Sequence, residues 1–310
     1  MTRHLISISD LTDDDLHGIV RRGAELSTGA AVPSRALAGR IVGIYFRRTS
    51  TRTRTAFSSG ALRLGGQIIA YGPDDLQTRT GETVEDTGRV FAGMLDLLVA
   101  RTADSPSELR AYAGHGRMGV VNAMTADEHP TQALTDLTTL LVHFGRLEGL
   151  RVRYVGEGNN TATALALALT RIPGTELDLH TPPGYGLPAG LLHTATEQAR
   201  RYGARISERH DMTELGDGVD VVYTTRWQTT GSSKADPEWR RVFAPFQVDD
   251  AVLGASPKAV FMHDLPAHRG EEVTASVLDG PASIAFGQAE NKMHSAMAVL
   301  EWCAAGGWTR

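Results

Sequence analysis

Ile41-Val42-Gly43-Ile44-Tyr45-Phe46 is an apolar run of strand composition, and Ser50-Thr51-Arg52-Thr53-Arg54 follows it closely. Beyond that point the apolar positions Ala56, Phe57, Gly60, Ala61 and Leu64 recur at helical spacing, so a helix starts near Thr51, directly after a strand. The unpaired N–H groups and positive dipole end of such a start favour an anion. Three hydroxyls and two guanidiniums add charge-assisted hydrogen bonds to several phosphate oxygens at once. A capped helix with solvated arginines is the plainer reading, but a cap uses a single hydroxyl. The stretch therefore reads as a phosphate socket at a strand-to-helix junction.

Working outward, the same junction recurs. Val99-Ala100-Arg101-Thr102 closes an apolar strand, and Asp127-Glu128-His129-Pro130-Thr131-Gln132 opens a helix, with Pro130 where a missing N–H is tolerated. In an open parallel sheet such junctions share one edge, so Arg101, His129 and Gln132 are expected to converge on the anion held at residues 50–54. Strand and helix patterns alternate over 41–46 and 52–64, 67–70 and 82–95, 97–100 and 106–114, and 119–123 and 130–144. Ser105-Pro106-Ser107-Glu108 reads as a capping box with proline at the first helical position. A first domain ends near residue 145, where Gly145–Leu150 has turn character, and Val152–Gly156 opens a second alternating series with strands at 177–180, 219–223 and 259–262. An amphipathic helix over about 288–303 closes the chain. The predicted class is α/β, in two domains.

Composition sets bounds. The 310 residues, 41% of them hydrophobic, suffice for two domains of ordinary size. A net charge of −5 argues against a nucleic-acid or membrane surface as main partner. The single cysteine, Cys303, cannot close an internal disulfide, and neither a charged-then-apolar leader nor a membrane-length apolar run is present, so a cytoplasmic location is expected. The histidines at 4, 115, 180, 193, 210 and 294 show no metal-ligand spacing, and no metal is expected. Gly156-Glu157-Gly158-Asn159-Asn160 follows a strand but lacks the third glycine of a dinucleotide loop, so no cofactor is expected either.

Taken together, S-T-R-T-R at 50–54, the strand-end Arg101-Thr102, H-P-x-Q at 129–132 and His263-Asp264-Leu265-Pro266 resemble, in order and spacing, the aspartate/ornithine carbamoyltransferase family, most nearly its ornithine type. The resemblance implies two doubly wound domains: residues 1–145, joined by a C-terminal helix reaching about 288–310, for carbamoyl phosphate, and 150–287 for the amino acceptor. It implies that Ser50, Thr51, Arg52 and Thr53 hold the phosphate, that Arg101, His129 and Gln132 hold the carbamoyl end, and that Leu265 and Lys292 complete the donor set. Lys292 stands where the family has arginine, keeping the charge without the bidentate fork. Gln77, in the loop 76–83, matches a family position that reaches a neighbouring subunit's site, which implies a homotrimer. Attack on the carbamoyl carbon drives charge onto its oxygen, so Arg101, the Thr53 hydroxyl and a protonated Nδ1 or Nε2 of His129 are expected to act as an oxyanion hole. Arg52 would neutralise the departing phosphate without changing its own protonation.

The acceptor side departs from the ornithine type. Its H-C-L-P reads His263-Asp264-Leu265-Pro266 here, and Thr225 replaces an aspartate in Tyr223–Gly231. Thr224-Arg226-Gln228 instead echoes the T-R-x-Q of aspartate-type members, whose arginine and glutamine bind acceptor carboxylates. Asn160 matches a residue for the acceptor's α-amino-carboxylate end, while Glu157 replaces an aspartate and is read as structural. Asp264 is expected to orient the attacking amine or take its proton, against the alternative of pairing with Arg269. The expected activity is carbamoyl transfer to an ornithine-like or short diamino acid. An aspartate-type acceptor and a catalytically weak binding or assembly relative are the alternatives.

Overall fold

The computed structural model describes residues 2–229 and 233–305, apart from the side chain of Arg79. The calls on Thr230, Gly231 and residues 306–310 lie outside the described residues. The chain divides into two units, one running up to His143 and resuming at Glu290, the other spanning Phe144–Ala289.

The first unit is built on β1 (Ile41–Phe46), β2 (Gln67–Tyr71), β3 (Leu97–Arg101) and β4 (Gly119–Met124). They pair in parallel in the order β2-β1-β3-β4. β3 and β4 are buried at every residue, as befits strands covered on both faces. Around them lie α1 (Asp13–Thr28), α2 (Thr51–Arg63), α3 (Val84–Met94), α4 (Ser107–Ala113) and α5 (Pro130–Phe144). The apolar stripe predicted for α2 is its buried face: Ala56, Phe57, Gly60 and Ala61 are all covered. α1 had no counterpart in the sequence reading.

The predicted capping box before α4 does not form. Pro106 is the N-cap residue and its ring offers no acceptor; Ser105 Oγ accepts from the Ser107 N–H at 3.3 Å, while the Glu108 carboxylate is engaged elsewhere. Arg47 Nη2 donates to both its oxygens at 2.7 Å, and Tyr112 Oη donates to Oε1 at 2.8 Å. A half-buried guanidinium gives a carboxylate charge-assisted hydrogen bonds that a solvent-exposed backbone N–H does not match.

The second unit carries β5 (Arg151–Val155), β6 (Glu176–His180), β7 (Arg205–Arg209), β8 (Val221–Thr224) and β9 (Val260–His263), all parallel, in the order β7-β6-β5-β8-β9. The helices here are α6 (Asn160–Leu169), α7 (Ala189–Tyr202), α8 (Trp239–Phe243), α9 (Asp250–Gly254) and α10 (Ala275–Leu278). α6 is buried along its whole length. β7 was not anticipated: it is an edge strand with Arg205, Ser207 and Arg209 on its exposed positions, too polar to register as an apolar run.

α11 (Ala285–Ala304) starts in the second unit, and from Glu290 onward it belongs to the first. Its ties there are specific. Arg22 forks onto Glu301 through Nε and Nη2 at 2.6 and 2.9 Å, and Asn291 accepts from Ser27 Oγ at 2.6 Å while donating to Thr139 Oγ1 at 3.1 Å.

Candidate active site

In each sheet the strand order reverses once, and in open α/β sheets ligands bind beyond the carboxyl ends of the strands at that reversal. In the first unit the reversal falls between β1 and β3, where Phe46 and Arg101 are register partners. The chain leaving β1 enters α2 at Thr51, with Ser50 extended as its N-cap residue. The Ser50 side chain makes no capping bond, so its hydroxyl is not consumed by the helix. Arg47 is committed away from any ligand, to Asp104, Glu108 and Tyr45.

Beside this edge Thr53, His129, Gln132, Thr135 and Lys292 line one void of about 10 Å³. That is the limit for a single water, so the void records where these side chains meet and is not itself a ligand cavity. Lys292 Nζ donates to Gln132 Oε1, and Gln132 Nε2 donates to Asp136 Oδ1 at 2.7 Å, which fixes the amide's orientation. His129 is buried, and burial followed by the nearby charges of Arg101 and Lys292 holds its pKa well below 6.5. The ring is therefore neutral at pH 7 and carries one protonated nitrogen. Thr131 Oγ1 lies 3.3 Å from His129 Nδ1; with that nitrogen accepting, the single ring hydrogen sits on Nε2. Gln77 stands apart: it is exposed on a short 3-10 turn and its Oε1 accepts from Thr80 Oγ1 at 2.6 Å.

In the second unit the reversal falls between β5 and β8, and Val155, Thr224 and His263 are register partners across β5, β8 and β9. Three predicted segments leave these adjacent strand ends: Gly156–Asn160, Thr225–Gln228 and Asp264–Pro266. Asn159 caps α6, accepting from the N–H groups of Thr161 and Ala162, and Asn160 is its buried first residue. Asp264 accepts from Thr225 Oγ1 at 2.8 Å on Oδ1 and from Thr161 Oγ1 at 3.1 Å on Oδ2. His263 Nδ1 accepts the Leu265 N–H at 2.8 Å, which leaves Nε2–H for Glu272 Oε1 at 3.3 Å. Leu265 sits at φ +52° and a cis bond follows to Pro266. Arg269 pairs with Asp279 at 2.6 and 2.8 Å and not with Asp264, which removes the structural alternative for that aspartate. Arg226 is half-buried, and its Nε is buried without a hydrogen-bond partner among the described residues.

Sequence reasoning missed two participants. Thr161 holds Asp264 from the first turn of α6, and the Asn159-Asn160-Thr161 run at a helix start was its only signal. Lys234, in a polar stretch that reads as solvated loop, ion-pairs with Glu157. His268, Glu271 and Glu272 bring ligand atoms within 4.8 Å of one another, but Glu272 Oε1 is already taken by His263 and by the His268 N–H. No described helix is long and apolar enough to cross a membrane.

Comparison with known proteins divides the chain at nearly the same point, although the second matched segment runs on through the part of α11 that belongs to the first unit. Residues 3–141 match the carbamoyl-P binding domain, and residues 148–303 the Asp/Orn binding domain, of aspartate/ornithine carbamoyltransferase. The chain belongs to the aspartate/ornithine carbamoyltransferase family. It is 37% identical to the ornithine carbamoyltransferase of Gloeobacter violaceus over 297 residues, which cover 96% of this chain and 94% of the relative. It is also 37% identical to the ornithine carbamoyltransferase of Thermococcus kodakarensis, covering 96% and 95%. The solved structure of ornithine carbamoyltransferase from Pyrococcus furiosus superposes with a TM-score of 0.91 at 34% identity, covering 99% of this chain and 98% of that one. The two parallel-sheet α/β units are thus the family's fold, and the protein is an enzyme of the carbamoyltransferase type.

Proposed function

We propose that this carbamoyltransferase transfers the carbamoyl group of carbamoyl phosphate to the side-chain amine of ornithine or a shorter diamino acid, releasing phosphate and a ureido amino acid. In this reading Ser50, Thr51, Arg52 and Thr53 take the phosphate, with Gln77 added from a neighbouring subunit of a homotrimer in the cytoplasm. Arg101, His129, Gln132, Leu265 and Lys292 take the carbamoyl end, and Asn160, Thr225, Arg226, Gln228 and Asp264 take the acceptor. The amine's lone pair attacks the carbamoyl carbon, the carbonyl π pair moves onto oxygen, and the C–O bond to phosphate then breaks with its pair leaving on phosphate. Arg101, Thr53 and the His129 N–H oppose the charge on the carbonyl oxygen. Arg52 opposes the charge on the leaving group.

The observation that carries the reading is the Asp264 carboxylate, held between two hydroxyls at the carboxyl edge of the second sheet. An anion fixed there suits an ammonium-bearing acceptor, and a carboxylate is a suitable base for the proton an amine sheds on attack. The relatives' printed name, ornithine carbamoyltransferase, supports the same acceptor class. Aspartate is the second reading, favoured by the Nε of Arg226.

The test is ureido-product formation by the purified protein with carbamoyl phosphate and ornithine, 2,4-diaminobutyrate, 2,3-diaminopropionate and aspartate. A diamino acid should give the highest kcat/KM, and Asp264→Asn should lower kcat by roughly 100-fold or more. Preference for aspartate, or an Asp264→Asn variant as active as the parent, would overturn the assignment.

A further inference from the structure

Lys234 is a charged side chain only 4% exposed. Its Nζ lies 2.5 Å from Glu157 Oε1, and 4.7, 4.8 and 5.5 Å from the ring centroids of Tyr185, Phe243 and Trp239. Trp227 packs onto the same cluster, 5.7 Å from Phe243 and 6.5 Å from Trp239. A desolvated ammonium needs a counter-charge and a polarisable surround; Glu157 supplies the first and the rings the second.

This box joins three segments at one point. Glu157 belongs to the turn Gly156–Asn160 that leads into α6. Tyr185 belongs to a neighbouring turn, and its carbonyl accepts the Gly158 N–H at 2.8 Å. Trp227 and Lys234 bracket the stretch that leaves β8, so Thr225–Thr229 is anchored by an indole ring at Trp227 and by an ammonium beyond its far end. A second bond runs parallel to the ion pair: Asn159 Nδ2 donates to Thr229 Oγ1 at 3.1 Å. Burying an ion pair in a low-dielectric box rarely adds stability over an apolar filling of the same volume. What the pair adds is a fixed link between two segments that each carry proposed acceptor contacts.

We infer that Lys234 is a positioning residue for the acceptor: paired with Glu157 inside the aromatic box, it holds Thr225–Thr229 against the Gly156–Asn160 turn and so sets the fit of the amino acid. The inference rests on the acceptor reading given above. Lys234→Met combined with Glu157→Gln separates position from stability, because methionine suits an aromatic box and neither charge is left buried without its partner.

The experiment is steady-state kinetics on the parent, Lys234→Met, Glu157→Gln and the double variant, varying each substrate in turn and recording thermal midpoints. Lys234→Met should raise the acceptor KM by about tenfold while the donor KM stays within about twofold, and the midpoint, lowered in each single variant by the charge left unpaired, should recover in the double variant. Glu157→Gln should shift the acceptor KM the same way, and the double variant should be no worse than Lys234→Met alone, since both changes break one link. If Lys234→Met does not fold, Glu157→Gln carries the same comparison with the side-chain shape kept. An unchanged acceptor KM, or donor and acceptor parameters worsening together, overturns the inference while leaving the functional reading intact. A parent enzyme that forms no ureido product from any amine overturns both.

Discussion

In the proposed reading, a neutral His129 changes how the donor's carbonyl oxygen would be stabilised. Burial and then the charges of Arg101 and Lys292 keep the ring unprotonated, so it can contribute one N–H and no charge of its own. The imidazole 15N shifts of the ligand-free protein should therefore stay those of a neutral ring from pH 8 down to about pH 6. A protonation midpoint at or above the ordinary histidine value would contradict this. The preceding residue behaves in the opposite sense. Burial outweighs the 2.7 Å bond from the Ile8 N–H and raises Glu128 from 4.5 to about 7. A carboxyl whose folded pKa lies above its unfolded one stabilises the fold fully below pH 4.5 and loses that contribution as pH rises through about 7. Unfolding free energy should thus decline by up to roughly 3 kcal/mol across that window, and Glu128→Gln should flatten the decline. A parent protein with pH-independent urea midpoints between pH 5 and 8 would refute it. At this scale much was legible: Arg52, Arg101, His129 and Asp264 announce themselves because each stands in a short motif next to a strand end. The protonation of His129 was not, because it depends first on burial and then on the charges of Arg101 and Lys292, which the local motif does not show.

Elements were legible wherever an apolar period continued through them. β1, α2, β3 and α5 start within a residue of where their patterns begin. α4 illustrates the limit. Ser105 and Glu108 satisfy the local grammar of a capping box, yet Arg47, from a different junction, takes the carboxylate. Glu157 pairs with Lys234, which comes from a loop without any periodic signal. The turn before α6 offers a sharper test. A Cβ on Gly158 would stand 2.4 Å from the backbone C of Gly186 and N of Leu187, and backbone cannot yield as a side-chain tip does. Gly158→Ala should cost about 2 kcal/mol or more in chemical denaturation and should raise the acceptor KM, since the turn carries Asn159 and Asn160. A variant of parental stability and affinity would show that the turn tolerates displacement.

At the scale of the whole molecule, the alternation of strands and helices was readable, but the order of strands within each sheet was not. Which strand neighbours which is decided by crossovers, and it is the reversal at β1 and β3, and at β5 and β8, that turns scattered motifs into two ligand edges. The domain limits read from turn composition fall near the unit boundary at His143 and Phe144. The return of α11 to the first unit was an implication of family resemblance, and Arg22, Ser27 and Thr139 are the residues that hold it there. Carbamoyl transfer makes one demand that no looser role shares: phosphate and ureido product must appear together. The most direct measurement is the simultaneous release of phosphate and formation of ureido amino acid from carbamoyl phosphate and ornithine, by the parent and by Arg52→Ala. The account predicts equal amounts of both from the parent, and a loss of roughly 100-fold or more in kcat/KM for carbamoyl phosphate in the variant. Phosphate release without ureido product, or an Arg52→Ala enzyme as fast as its parent, would contradict it.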